Sequence, residues 1–346
     1  MIAFSNHYLI SPRIDFFLIG GAALLIYFIV LVFGFPINFD IVFWMVVLSF
    51  FVNSPHFMIS YEIFYSLSKK NLFKLNKFFF VGVFIPIILL SVLLYGFVFK
   101  SKNSFLLMLL AMFFLVGWHY IKQAYGCFIV YSAGNKVFYN KFEQSIIKFS
   151  LYPLWFFSFL KLFSSENNNY WGLEYNFSQI LSPFVVIMGW ISLSGIVFFI
   201  GLILYNIFIN GKKPNIVALT SIIVVYIWLS PLLWNEFYFY MIPFFHSLQY
   251  FLFSGAYTQS KIEKSNTGLK GWLLWWGIAF ILGLLFFEII PKVLDNIYPV
   301  ADSITPNLFL ISFIFFINIH HYFIDSIIWK GGNIDVRENL IFKSIG

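Results

Sequence analysis

The chain has 346 residues, of which 61% are hydrophobic and only 10% are charged. This composition excludes an ordinary soluble domain and indicates an integral membrane protein. The net charge of +7 is explained by basic loops on the cytoplasmic side of a membrane, so we expect no nucleic-acid partner. Because Cys127 is the one cysteine, intrachain disulfides and thiolate metal clusters are excluded as well.

Ten hydrophobic stretches follow one another along the chain, each of a length that crosses the core of a bilayer. The longest connection between them is the polar loop 164–179, which leaves no room for a soluble domain. The sequence therefore predicts an all-α fold: one transmembrane domain over residues 1–346, a polytopic bundle of about ten helices. The predicted spans are 15–35, 41–66, 78–99, 105–133, 144–163, 181–209, 215–231, 236–258, 270–290 and 306–329.

The basic residues of the connections are distributed unevenly between the two sides of this bundle. With ten spans both termini lie on the same side, and most of the lysines and arginines fall there. Since positively charged loops stay in the cytoplasm, we expect a multi-pass protein with both termini cytoplasmic. No cleavable signal peptide is expected, because the N-terminal region has little positive charge. The opposite side has Lys100, Lys102, Lys161 and Lys292.

Five of the six histidines lie inside predicted spans, on spans two, four, eight and ten, which all run from outside to inside. At 1.5 Å per residue they lie about 15–22 Å from the cytoplasmic ends of their helices. Histidines at one depth on four helices can meet at one point, and imidazole is a ligand for Zn, Cu, Fe and Ni. The pattern predicts a shared metal site with the candidate ligands His56, His119, His246, His320 and His321.

Other polar residues accompany these histidines on the same helices. Asp325 lies four residues after His321, a spacing at which a carboxylate can orient the imidazole of a metal ligand. Gln123 lies four residues after a histidine, Gln249 three after another, and Asn53 three before a third. These three amides are expected either to orient imidazoles in the same way or to form hydrogen bonds between helices.

Adjacent histidines on a helix point about 100° apart, so only one of His320 and His321 is expected to face a given centre. Five histidines with Asp325 and Glu62 are also compatible with a centre of two metals. Glu62 and Lys122 both lie in the inner halves of their spans. They either pair with each other, or Lys122 extends toward the cytoplasmic headgroups.

The order of the histidine motifs resembles that of the Brp/Blh family of bacterial and archaeal membrane proteins. The matching segments are "SPHFM", "GWHYIKQA", "FFHSLQ" and "HHYFID". The resemblance implies His56, His119, His246 and His320 as ligands, with Asp325 five residues after the last. It also implies a non-haem iron, Fe2+, held by these histidines in a plasma membrane. The expected reaction is cleavage of the central double bond of β-carotene by O2, which gives retinal.

The sequence departs from the family pattern at several positions. Phe57 and Ser60 stand where the first motif of the family has a glycine and an acidic residue. Gln123 replaces the acidic residue of the second motif, Tyr250 stands in place of a further histidine, and His321 is additional. Another lipid is therefore a candidate substrate alongside a carotenoid.

We therefore expect an oxidoreductase, a dioxygenase that acts on a hydrophobic substrate dissolved in the lipid bilayer. Tyr120, Tyr250 and Tyr322 neighbour motif histidines and are candidates to donate hydrogen bonds during the reaction with O2. One alternative is a hydroxylase or desaturase with two metals, although the usual HxxxH and HxxHH motifs are absent from the sequence. The other is a transporter for a metal ion or a proton, although acidic residues are few within the predicted spans.

Overall fold

The computed structural model of the chain is almost entirely helical, as the hydrophobic pattern predicts. Two ribbons of two short strands each complete the regular structure of the described part. The structure describes residues 7–34, 39–69, 72–74, 76–164, 169–230, 236–298, 304–330, 332–340 and 342–344.

Each predicted span overlaps one of ten helices in the described chain, and a further short helix follows near the C-terminus. The helices are α1 Pro12–Phe33, α2 Phe39–Ser68, α3 Lys77–Val98, α4 Lys102–Gly134, α5 Lys141–Phe163, α6 Ser178–Phe208, α7 Ile216–Leu229, α8 Glu236–Ser265, α9 Gly268–Ile297, α10 Leu308–Ile328 and α11 Ile334–Asn339. The strands are β1 His7–Tyr8, β2 Asn169–Tyr170, β3 Leu173–Glu174 and β4 Lys343–Ser344.

Seven of the helices in the described residues are long and apolar enough to cross a membrane, namely α1, α3, α4, α5, α6, α9 and α10. Helix α7 is apolar but has only 14 residues. Helices α2 and α8 are 30 residues long and carry two of the candidate histidines. These helices indicate a membrane protein, whereas ten crossings and cytoplasmic termini stay predictions.

Several helix ends are stabilised by side chains that accept hydrogen bonds from free backbone N–H groups. Asn140 and Glu143 form a reciprocal capping box at the start of α5. The start of α10 is capped from the neighbouring helix, because Asp295 of α9 accepts hydrogen bonds from the amides of Phe309 and Leu310 at 2.7 and 3.1 Å. These caps set the ends of α5 and α10 and join α9 to α10.

Both ends of the described chain meet at one end of the bundle. Strand β1 pairs antiparallel with β4, with His7 opposite Ser344. The N-terminal segment is fastened to α4, since the buried Asp15 accepts hydrogen bonds from the backbone of residues 9–11 and, at 2.7 Å, from the hydroxyl of Tyr131.

Helix α10 is the most enclosed of the seven spans. In its apolar 18-residue stretch 61% of the residues are buried, against at most 50% in the corresponding stretches of the others. It packs against both α2 and α4, and α8 packs against α2. The four helices that carry the candidate histidines are therefore connected by packing contacts, and α10 is the most buried of the seven spans.

Small residues let other helices approach closely, as is common in membrane bundles. A Cβ atom added at Gly195 of α6 would lie 2.8 Å from the backbone oxygen of Ser150 in α5. A Cβ atom at Gly201 of the same helix would meet no atom within 4 Å. Substitution of each glycine by alanine therefore distinguishes the effect of close helix packing from the effect of helix propensity.

We expect Gly195→Ala to lower the melting temperature of the detergent-purified protein by several degrees. The added methyl group must push α5 and α6 apart, at a cost of about 1–3 kcal/mol. Gly201→Ala is the matched control and should be neutral or slightly stabilising, since alanine favours a helix over glycine by about 1 kcal/mol. Equal melting temperatures for the two variants would contradict the close packing of α5 on α6.

Candidate metal centre

Four histidines from four helices converge inside the bundle, and we call this set the histidine cluster: His56 of α2, His119 of α4, His246 of α8 and His321 of α10. All four side chains are buried. The Nε2 atoms of His56 and His321 are 3.0 Å apart, and those of His119 and His246 are also 3.0 Å apart. The two pairs lie side by side, with 5.0 Å between the ring centroids of His119 and His321.

Asp325 lies beside the histidine cluster, one helical turn after His321. Its Oδ2 atom is 3.4 Å from Nε2 of His321 and 3.8 Å from Nε2 of His119. Its Oδ1 atom accepts a hydrogen bond from the hydroxyl of Ser60 at 3.0 Å, and that hydroxyl is hydrogen-bonded to the hydroxyl of Tyr250 at 2.6 Å. Among the described residues no lysine or arginine forms an ion pair with Asp325.

Two subsets of these donor atoms are each spaced like the ligands of a metal ion. Imidazole nitrogens bind such metals at about 2.1 Å, so two donors lie about 3.0 Å apart at a 90° angle and about 3.6 Å apart at 120°. The observed separations of 3.0, 3.4 and 3.8 Å lie in or close to this range. Two overlapping donor sets, which share His321, each have their atoms within 4.8 Å of one another. The residues present therefore fit a metal ion, although the geometry does not select the element.

His320 lies outside the histidine cluster, although the family resemblance implied it as the ligand from α10. Its Nδ1 atom is hydrogen-bonded to the hydroxyl of Tyr61 at 2.8 Å, and its Nε2 atom lies 2.8 Å from the backbone oxygen of Val81. Both ring nitrogens are thus engaged away from the cluster. The structure assigns the place at the centre to His321, whose side chain points about 100° away around the helix.

The support for His56 comes largely from the main chain of its own helix. Its Nδ1 atom lies 3.0 Å from the backbone oxygen of Asn53 and 3.1 Å from the hydroxyl of Ser247. That hydroxyl is also 2.9 Å from the side-chain oxygen of Asn53. The sequence predicted a role for the side-chain amide of Asn53 but none for Ser247. The one sign of Ser247 in the sequence is that it directly follows His246.

Gln123 and Gln249 join helices and contact no imidazole nitrogen of the cluster. The amide of Gln123 donates to the backbone oxygen of His246 at 3.1 Å and to Oε1 of Gln249 at 2.9 Å. Gln249 donates in turn to the backbone oxygen of Ile19 at 2.5 Å, beside the break in α1 at Gly20. Of the two roles predicted for these amides, the structure shows the hydrogen bonds between helices.

Aromatic rings enclose the histidine cluster. The buried rings of Tyr120, Tyr250, Tyr322 and Phe57 each have a centroid within 5 Å of a histidine ring. The hydroxyl of Tyr322 donates to Asn318 at 3.1 Å, on the preceding turn of α10. The three tyrosines are therefore neighbours of the cluster, and their predicted part in a reaction stays a prediction.

Glu62 and Lys122 do not contribute to the histidine cluster. Glu62 is exposed on the surface of the bundle and belongs to neither donor set. The ammonium of Lys122, which is also exposed, lies 4.2 Å from the ring centroid of Trp118. Among the described residues no ion pair joins Glu62 to Lys122. Glu62 and His320 are therefore not donors, and the remaining donors form two sets of three that share His321.

Comparisons with known proteins return no match: no family model, no curated protein and no solved structure matches the chain. The resemblance to the Brp/Blh family stays a prediction from four short motifs. The function must therefore be argued from the geometry of the site.

The adjacent histidines of α10 provide a matched test of this geometry. His321→Ala removes an atom common to both donor sets, whereas His320→Ala removes only hydrogen bonds to Tyr61 and Val81. After anaerobic incubation with Fe2+ and desalting, we expect roughly one iron per chain in the wild type and in H320A. H321A should retain at least about tenfold less. Elemental analysis measures the metal, and gel filtration checks the fold; equal retention by H320A and H321A would contradict the assignment of His321.

Proposed function

We propose that this protein is a membrane-embedded oxidoreductase that uses histidine-held iron and O2 to oxidise a hydrophobic substrate dissolved in the bilayer. A carotenoid cleaved to retinal is the first candidate substrate, and another lipid is the second. The proposal is supported above all by one observation: four imidazoles and one carboxylate are buried together without a cation from the described chain.

The charge of Asp325 is the reason to favour a metal ion over a cluster of hydrogen-bonded histidines. A carboxylate that is buried without a cation is destabilised by several kcal/mol of lost solvation. Neutral imidazoles supply no positive charge, and a divalent ion at their Nε2 atoms does. Iron suits these ligands, and, unlike zinc, it is redox-active.

When bound, the iron supplies one-electron and O2 chemistry. The residues of the chain hold it, orient its ligands and exclude water. The backbone oxygen of Asn53 holds the ring of His56 from behind, at 3.0 Å from Nδ1. The surrounding buried rings of Tyr120, Tyr250 and Tyr322 exclude water from the site.

A layer of aromatic rings next to the site favours a resident ion over a transported one. Trp329 follows the last turn of α10, and its ring centroid lies 5.7 Å from that of Tyr250 and 6.3 Å from those of Phe253 and Tyr257. A pathway for a metal ion or proton needs polar groups that continue beyond the binding site. Here the polar side chains of Asp325 and Ser60 are followed by the layer of aromatic rings around Trp329.

The test is O2 consumption by the anaerobically Fe2+-loaded protein in bicelles that contain β-carotene, with the organic product identified by chromatography and mass spectrometry. We expect retinal from the wild type and from His320→Ala. His246→Ala should be slower by more than about 100-fold, since even residues behind metal ligands contribute 10–100-fold. Protein loaded with Zn2+ should be inactive, because zinc has no redox chemistry.

Two results would contradict this function. If the iron-loaded wild type consumes no O2 with any carotenoid or membrane lipid, the proposed oxygenase activity is contradicted. Uptake of Fe2+ or Zn2+ into proteoliposomes, abolished in His246→Ala, would favour the transporter in its place.

A further inference from the structure

We infer that Asp325 is itself a ligand of the bound metal, and that Ser60 and Tyr250 position its carboxylate for that role. This inference rests on the proposed metal centre. It specifies direct coordination by a carboxylate oxygen beside the imidazole donors, where the sequence predicted a carboxylate that only orients a histidine.

The first argument is the side of the imidazole on which the carboxylate lies. A carboxylate that orients a metal-bound histidine accepts a hydrogen bond from the ring nitrogen that faces away from the metal. In the histidine cluster the Nε2 atoms face one another, so the outward atom is Nδ1. His56 shows such an outward contact, from Nδ1 to the backbone oxygen of Asn53 at 3.0 Å. Asp325 instead lies at Nε2 of His321 and His119, on the inner side.

The second argument is that the two carboxylate oxygens of Asp325 differ in their hydrogen bonding. Oδ1 accepts the hydrogen bond from Ser60, whereas Oδ2 accepts none and is buried. Because Ser60 belongs to α2 and its partner Tyr250 to α8, two helices of the cluster fix the orientation of a carboxylate on a third. One oxygen held by a hydroxyl and one free oxygen directed at the histidine nitrogens is the arrangement of a carboxylate that binds through a single oxygen.

The third argument concerns charge and coordination number. A carboxylate ligand lowers the net charge of a divalent site from +2 to +1, which reduces the cost of burying it in a membrane protein. Each of the two donor sets has three residues, so coordination positions would remain for other ligands. The hard oxygen donor favours a divalent ion such as Fe2+ or Co2+ over the softer Cu+.

The experiment uses Co2+, whose visible absorption bands report the number and type of coordinating atoms. The full-length protein in detergent is loaded anaerobically as the wild type, Asp325→Ala, Asp325→Asn and Ser60→Ala. We expect the bands of both Asp325 variants to change in position and intensity, and formate to restore the wild-type spectrum in D325A. Ser60→Ala should keep the wild-type bands and bind Co2+ up to about tenfold more weakly, because it touches only the outer oxygen.

The outcomes separate this inference from the proposed function. Wild-type bands in D325A or D325N would overturn the inference and leave the metal centre intact. Asp325 would then orient a histidine ligand without binding the metal. Loss of Co2+ from both folded Asp325 variants, with binding and bands restored by formate in D325A, would support the ligand role. Failure of the wild type to bind Co2+, Fe2+ or Zn2+ would overturn the metal centre itself, and Asp325 would then be a protonated acid that donates to a histidine nitrogen.

Discussion

The buried carboxylate of Asp325 and the four imidazoles around it impose the central constraint on this molecule. In the middle of an apolar bundle, water cannot solvate these groups, so every one of them needs a partner within the protein. Oδ1 of Asp325 accepts a hydrogen bond from Ser60, and Nδ1 of His56 lies at hydrogen-bond distance from the accepting backbone oxygen of Asn53. It supplies no cation to the carboxylate from the described residues. A divalent ion would give a partner to Oδ2 of Asp325 and to the inward Nε2 atoms at once, whereas Nδ1 of His246 and of His321 have no hydrogen-bond partner among the described residues.

The rest of the bundle keeps these groups at one point. Gln123 and Gln249 connect α4, α8 and the broken helix α1 through backbone oxygens. Asp295 holds the start of α10 from α9, and α10 carries both His321 and Asp325 through the most enclosed region. Donor atoms that must lie about 3 Å apart on four separate helices need such cross-links, because each helix end is far from the site.

The general fold was predictable because its signals are local. Long apolar runs separated by short polar connections specify helices in a membrane, and the structure has a helix at each of the ten predicted positions. The amides of Gln123 and Gln249 left two roles open, since spacing along one helix does not show which neighbouring helix lies opposite. Ser60 and Ser247 were missed as partners of the site for the same reason, as their contacts join residues that are distant in sequence.

The sequence by itself determined the all-α class and the set of helices that bear the histidines, and its composition predicts a membrane environment. These depend on composition and on a rise per residue that is the same in every helix. Only the tertiary structure decided that His321 and not His320 enters the cluster, that Glu62 lies outside it, and that Asp325 faces the inner nitrogens. Those choices depend on the rotation of each helix about its axis. That rotation is set by the packing of all its neighbours, and no local pattern in the sequence encodes it.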